Sequence, residues 1–232
     1  MSRFELAWSA LLVCALSSGC ALTSKASAVQ PRFFSPELDE RAAASETTPD
    51  AAPLALRLGL VEAASHLEER MSYRVNASEL GYYDDRRWSE RPEAYLRRAL
   101  EQELFQRRQI RRVLSGAGTT LDVELTAFEE LRGPKPKVRL ALAFRLHDDR
   151  QATLERNVVI ERPLAPDGDI DHAQRVASAL GSALAAAVTE VGDRATAHLR
   201  TLPRPTPATE SAVPAREPSA PAPRSPSDSE TR

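Results

Sequence analysis

Val138–Leu146 reads VRLALAFRL: Val138, Leu140, Leu142, Phe144 and Leu146 alternate without a break with Arg139, Ala141, Ala143 and Arg145. Successive residues of an extended chain point to opposite faces, so this stretch is a strand with one face in a core and the other face outside it. A sheet of such strands needs a second layer over its apolar side. The chain offers one from Asp169 onward, where Ala173, Val176, Ala177, Leu180, Leu184, Ala187, Val188 and Val191 recur at helical spacing. Asp169 is the expected N-cap of that helix, and its alanine-rich stripe lets it lie close against a sheet.

Outward from these two elements, further strands are expected at Leu121–Leu131 and Leu154–Glu161, with RGPKPK, GAGTT and APDGD as turns. Upstream, LALRLGLV puts Leu54, Leu56, Leu58 and Leu60 on one face, a half-buried strand. MSYRVN continues in strand vocabulary, and ASELGYYDDRRWSERP reads as a loop or short paired segment. Pro92 then opens a helix that carries Leu96, Ala99, Leu100 and Leu104 and runs to about Arg108. A short strand at Ile110–Leu114 follows, and RFF at Arg32–Phe34 is a first strand. The expected fold is a single α/β domain over residues 31–200, with a mixed or antiparallel sheet covered by two main helices in two or three layers. A signal peptide and a disordered, proline-rich C-terminal tail flank it.

The formal net charge of −2 gives no bulk attraction to nucleic acid or to an anionic membrane. Residues 201–232 hold few large apolar side chains and many prolines, so they cannot bury enough surface to offset the entropy of ordering. Both cysteines, Cys14 and Cys20, fall in the first twenty residues, which leaves the folded part without a thiol for a disulfide or a metal. His66, His147, His172 and His198 are scattered and lack metal-site spacing. Asp167, Asp169 and Asp171 in DGDID lack the later glycine and glutamate of a calcium loop, and read as a turn with a helix cap. GAGTT has no lysine for a phosphate loop, and Asp84–Asp85 has no sequence partner for acid–base work. No catalytic, cofactor or metal residue is assigned, and the chain is read as a non-enzyme. RRQIRR, Arg107–Arg112, is the one basic cluster. It reads either as a complement to the carboxyl end of the first helix or as a contact for lipid phosphates.

At the N-terminus Arg3 precedes the apolar run Leu11–Leu16, and Ser17, Ser18 and Gly19 are small residues ahead of Cys20. The run is shorter than the roughly 20 residues that span a bilayer. The arrangement resembles a bacterial lipoprotein signal peptide, with residues 1–19 removed, Cys20 acylated and residues 20–30 a linker. Ser17 stands where that pattern has leucine. An ordinary secretory signal with Cys20 incidental is the alternative. Two or three acyl chains on Cys20 give a durable anchor where one would not. Ala21 in place of aspartate favours, by the same resemblance, the outer membrane facing the periplasm.

The block from Leu56 to Phe105 holds Leu56 and Leu58, Leu67, Tyr73–Arg74, Glu79–Leu80 with Tyr82 or Tyr83, Arg87–Trp88, Pro92, then Leu96, Leu100 and Leu104. In order and spacing it resembles the ABC-type transport auxiliary lipoprotein family, and PRFFSP near Arg32 is similar to that family's opening strand. The likeness runs from about Pro31 to Leu199. It implies an accessory subunit of an envelope lipid-transport system whose partner is a periplasmic mammalian-cell-entry (MCE) domain protein, with ATP hydrolysis left to other subunits. A homo-oligomer is compatible with it, and a nucleic-acid role conflicts with export. Tyr82, Tyr83, Arg87 and Trp88 are residue types enriched at binding hot spots, and are the candidate partner contact. Tyr73 and Trp88 equally suit packing under the first helix. The competing function is a structural envelope lipoprotein whose tail binds the cell wall or another envelope protein.

Overall fold

The computed structural model describes residues 30–37, 54–164 and 170–202. The signal peptide, Cys20, Asp169 and residues 203–232 of the tail lie outside them. In chain order the elements are β1 (Arg32–Phe34), β2 (Ala55–Ala63), β3 (Arg70–Arg74), β4 (Leu80–Trp88), α1 (Pro92–Glu101), β5 (Arg111–Arg112), β6 (Thr120–Leu131), β7 (Lys137–His147), β8 (Ala152–Pro163) and α2 (His172–Thr201).

Strand β6 is the spine of a mixed eight-stranded sheet. Along one side β7 runs antiparallel over its whole length, from Thr120 opposite His147 to Leu131 opposite Lys137. β8 follows β7 and forms one edge. Along the other side of β6, β2 takes the first half, with Arg57 opposite Thr120, and β3 takes the end, with Ser72 opposite Glu129. β2 and β3 are thus one column, broken by the excursion Ala64–Glu69 that buries Leu67. Outside this column stand β5, parallel to the start of β2, and β4, antiparallel to β3, with β1 parallel to β4. β1 and β5 therefore belong to one edge of the sheet and β8 to the other.

The apolar face read from β7 is the core: Val138, Leu140, Leu142, Phe144 and Leu146 are all 0–3% exposed. Cross-strand pairing brings Leu121, Val123, Leu125 and Phe128 of β6 onto the same face. Burying each such side chain stabilises the fold by about 1.5–3 kcal/mol. Both helices lie on this face, so the domain has two layers. Tyr95 of α1 packs edge-on against Trp88, which in turn meets Phe128. All eight residues of the predicted α2 stripe are buried. On the open face Arg145, Glu155, Asn157 and Val159 are exposed.

Four local expectations change. Of the loop or short paired segment expected in ASELGYYDDRRWSERP, the paired alternative holds and lengthens: Leu80–Trp88 is a nine-residue strand. Leu60 leaves the core face and is 56% exposed. The pairing of β2 with β6 shifts register between Leu58 and Val61, where the Asp122 carboxylate accepts the Leu60 N–H at 2.9 Å. Asp122 and Thr120 press so closely on Gly59 that a Cβ there would collide with both. The strand expected at Ile110–Leu114 shrinks to two residues. The first helix changes winding after Glu101 into a π-helical segment, Gln102–Arg107.

That segment ends in an arginine clasp. Glu103, 4% exposed, accepts from Arg108 at 2.8 Å and from Arg107 at 3.3 Å. Arg108 also reaches Asp193 at 2.9 Å and the Thr189 carbonyl at 3.1 Å, which ties α1 to α2. Gly192 leaves the room the guanidinium occupies. At the start of α2 the cap is Asp171, which accepts the Ala173 N–H at 2.7 Å and pairs with Arg32 of β1 at 2.8 Å. The Arg32 guanidinium holds the Asp171 carboxyl below its ordinary range, against an opposing push from burial, and the Ala173 N–H adds to the lowering.

Candidate functional site

The four candidate contact residues all belong to β4, and the strand divides them. Opposite β3 the pairing jumps from Ser72–Tyr82 to Arg70–Arg87, so β4 carries extra residues between Tyr82 and Arg87. Tyr82 sits in a cross-strand row with Ser72, Glu129, Arg139 and Glu161, which is the open face. Its hydroxyl donates to the His66 carbonyl at 3.0 Å, and the Arg70 guanidinium lies 5.1 Å from its ring. Arg87 donates to the Tyr83 and Arg86 carbonyls at 3.1 and 3.3 Å, and borders a shallow hollow with Glu68, Glu69 and Arg91. Its partner across the β1 pairing is Phe33, 63% exposed.

Tyr83 and Trp88 turn the other way. Trp88 is 1% exposed in the aromatic core with Tyr95 and Phe128. Tyr83, 8% exposed, donates to the buried Glu130 carboxylate, whose oxygens lie 3.1 and 3.2 Å from His172 Nε2. Burial pushes the Tyr83 phenol up, and the Glu130 carboxylate pushes it further, so it remains a donor. Arg86 stacks on its ring at 4.0 Å and Arg132 at 4.7 Å, while Arg132 also covers Tyr73 at 3.4 Å. This knot fixes the first turn of α2 to β4 and β6. The surface part of the candidate site is Tyr82, Arg87 and Phe33.

Phe33 was legible only as a strand residue, because nothing in RFF says which ring faces out. Glu129, Glu130 and Arg132 carried no signal in sequence, since adjacent glutamates on a strand read as solvated. In the fold Glu129 is 1% exposed and is bound by Arg74 at 2.8 and 3.2 Å.

On the open face a shallow groove runs between Leu60, Ala143 and Asn157. Its polar floor is Asp122, bound to the Leu60 N–H, to Arg145 at 3.2 Å and to His147 at 3.0 Å. Burial raises the Asp122 carboxyl, but the Leu60 N–H, Arg145 and His147 outweigh it and hold the group below the usual range. A carboxyl lowered by folding adds stability above its unfolded value of about 3.9, and that contribution is lost as pH falls through the folded value. Asp122→Asn is therefore expected to lower the melting temperature at neutral pH, and the gap to the parent closes as pH drops below about 4. Thermal scans across that range check it. Among the described residues no group of three or more His, Cys, Asp or Glu side chains could hold a metal ion, and no helix is long and apolar enough to cross a membrane.

The sequence pattern of the ABC-type transport auxiliary lipoprotein component family matches residues 37–192. The chain belongs to this family. It is an auxiliary lipoprotein component of ABC-type transport systems, as the motifs between Leu56 and Phe105 imply. Membership carries association with such a system and attachment to a membrane of the cell envelope. The crystal structure of protein XCC0632 from Xanthomonas campestris superposes on this auxiliary lipoprotein with a TM-score of 0.60 at 18% identity, over 73% of this chain and 97% of that one. A crystal structure of an uncharacterized protein gives 0.56 at 15% identity, over 72% and 99%. At these identities the two share the fold. No curated protein matches the chain.

Proposed function

We propose that this auxiliary lipoprotein is a non-catalytic accessory subunit of an ABC/MCE-type lipid-transport system of the envelope. Anchored through Cys20 at the outer membrane, it docks the periplasmic MCE-domain protein. The family match over residues 37–192 carries the reading. Support for the contact comes from the β1–β4 corner. Phe33, Tyr82 and Arg87 place an exposed aromatic ring, a half-buried phenol and a guanidinium that, among the described residues, makes only backbone hydrogen bonds around one edge. Aromatic and arginine side chains of this kind dominate binding energy at interfaces. The anchor adds to a weak contact by raising the local concentration of the domain beside its partner.

Crosslinking of the tagged chain in intact cells, followed by mass spectrometry, tests this. An MCE-domain protein is the expected capture, reduced by Cys20→Ala, and reduced by Tyr82→Ala with Arg87→Ala while the circular dichroism spectrum stays that of the parent. Capture of wall-associated proteins alone, abolished by deleting residues 203–232, would replace this reading with the structural lipoprotein.

A further inference from the structure

From the geometry of the β5 corner we infer a second membrane contact: the loop Val113–Thr119 is a headgroup-binding tip that seats on anionic lipid. Its apex is Leu114, 81% exposed, the most exposed large apolar side chain among the described residues. The loop is held rather than loose. Arg111 N–H donates to the Leu54 carbonyl at 2.8 Å and Val113 N–H to the Leu56 carbonyl at 2.9 Å. Arg57 N–H bonds Thr119, and the Arg57 guanidinium bonds the Gly116 carbonyl. Leu114 is thus presented outward from a fixed base, and Gly116 turns the chain behind it at φ +86°.

The chain leading into the tip is rich in arginine. Residues 104–121 contain Arg107, Arg108, Arg111 and Arg112 and no carboxylate, in a chain whose overall charge is −2. Arg107 and Arg108 close on Glu103, and Arg112 reaches Glu101 at 3.0 Å. Those pairs tie three of the four arginines to carboxylates of the first helix and the segment that follows it. Arg111, exposed beside Leu114, makes no ion pair among the described residues, and Arg57 adds a further positive charge behind the loop. A single apolar tip with an exposed arginine beside it and a second behind it suits the boundary between headgroups and acyl chains. It offers far less than the roughly 800 Å² a side that a stable protein interface needs.

The placement agrees. β5 and β1 share one edge of the sheet, and β1 is where the linker from Cys20 joins the domain. Twelve residues at full extension span at most about 43 Å, enough slack for the β5 corner to turn toward the membrane that holds the anchor. The inference concerns lipid and stands apart from the choice of protein partner.

The test uses tryptophan as a depth reporter in the full chain. The native tryptophans are Trp8 and the buried Trp88. Leu114→Trp places a reporter on the tip, and Val159→Trp places a control on β8 at the opposite edge, where Val159 is 59% exposed. Each is mixed with vesicles of brominated phosphatidylglycerol or brominated phosphatidylcholine, and its emission is compared with the parent's. The added emission of Leu114→Trp is expected to fall by about half on phosphatidylglycerol, as for a ring at the acyl boundary. It should be restored by Arg111→Glu or by about 1 M salt, where screening shortens to about 3 Å. Val159→Trp should be unaffected. Equal quenching of both reporters, or of neither, overturns the inference, and circular dichroism of each variant verifies folding.

Discussion

Trp88→Ala is expected to lower the unfolding free energy by about 3–5 kcal/mol, the range for removing a fully buried aromatic ring. Trp88 is 1% exposed and joins three elements: it ends β4, lies edge-on to Tyr95 of α1 at 6.4 Å and meets Phe128 of β6 at 5.0 Å. Its loss opens a cavity where α1 seats on the sheet, and the neighbours can collapse only partly because each is held by its own strand or helix. For a domain of this size the melting temperature should drop by about 6–20 °C. Urea titration followed by far-ultraviolet circular dichroism checks it without relying on the deleted fluorophore. Partner capture lost with unchanged stability would instead mean that this ring is an interface residue.

Arg74→Leu should be comparably damaging for a different reason. Glu129 has 1% of its side chain exposed and receives both Arg74 bonds, so the substitution strands a buried carboxylate, at about 3–5 kcal/mol. Ser72, which donates to the Phe128 carbonyl at 3.3 Å, offers the carboxylate no substitute charge. The double variant Arg74→Leu with Glu129→Leu removes both charges together and is expected to recover most of the loss, since a buried ion pair contributes little over well-packed apolar residues. A double-mutant cycle in urea measures it. Equal damage in the single and double variants would show that packing of the Arg74 stem, and not its charge, carries the effect.

The core was legible because two periodicities wrote it out. The alternation of β7 and the helical stripe of α2 each name the buried residues, and the structure buries all of them. β4 was opaque because both its faces carry polar or aromatic side chains: Tyr82 and Asp84 on one, Tyr83 and Arg86 on the other. A strand whose buried face holds a phenol and stacked arginines has no apolar alternation to read. Leu60 misled for a related reason. The leucine pattern continues through it, but a backbone shift set by Asp122, sixty-two positions away, turns it outward. The candidate contact was legible by residue type and not by direction, since the bulge that separates Tyr82 from Tyr83 and Trp88 depends on pairing with β3. Glu129 and Glu130 were beyond reach, because their partners Arg74, Tyr83 and His172 come from three other elements.

The broken column formed by β2 and β3 divides the molecule by contact order. β6, β7 and β8 pair through the tight turns Arg132–Pro136 and Asp148–Gln151, so their ladder forms at small cost in loop closure. β2 and β3 reach β6 only across intervening chain, with Arg57 against Thr120 and Ser72 against Glu129. Those closures enclose on the order of 60 residues, and their entropy must be met before any of their contacts form. The three-strand meander is therefore expected to form first in folding, with the half of the sheet that bears the linker, the candidate contact and the basic loop added onto it.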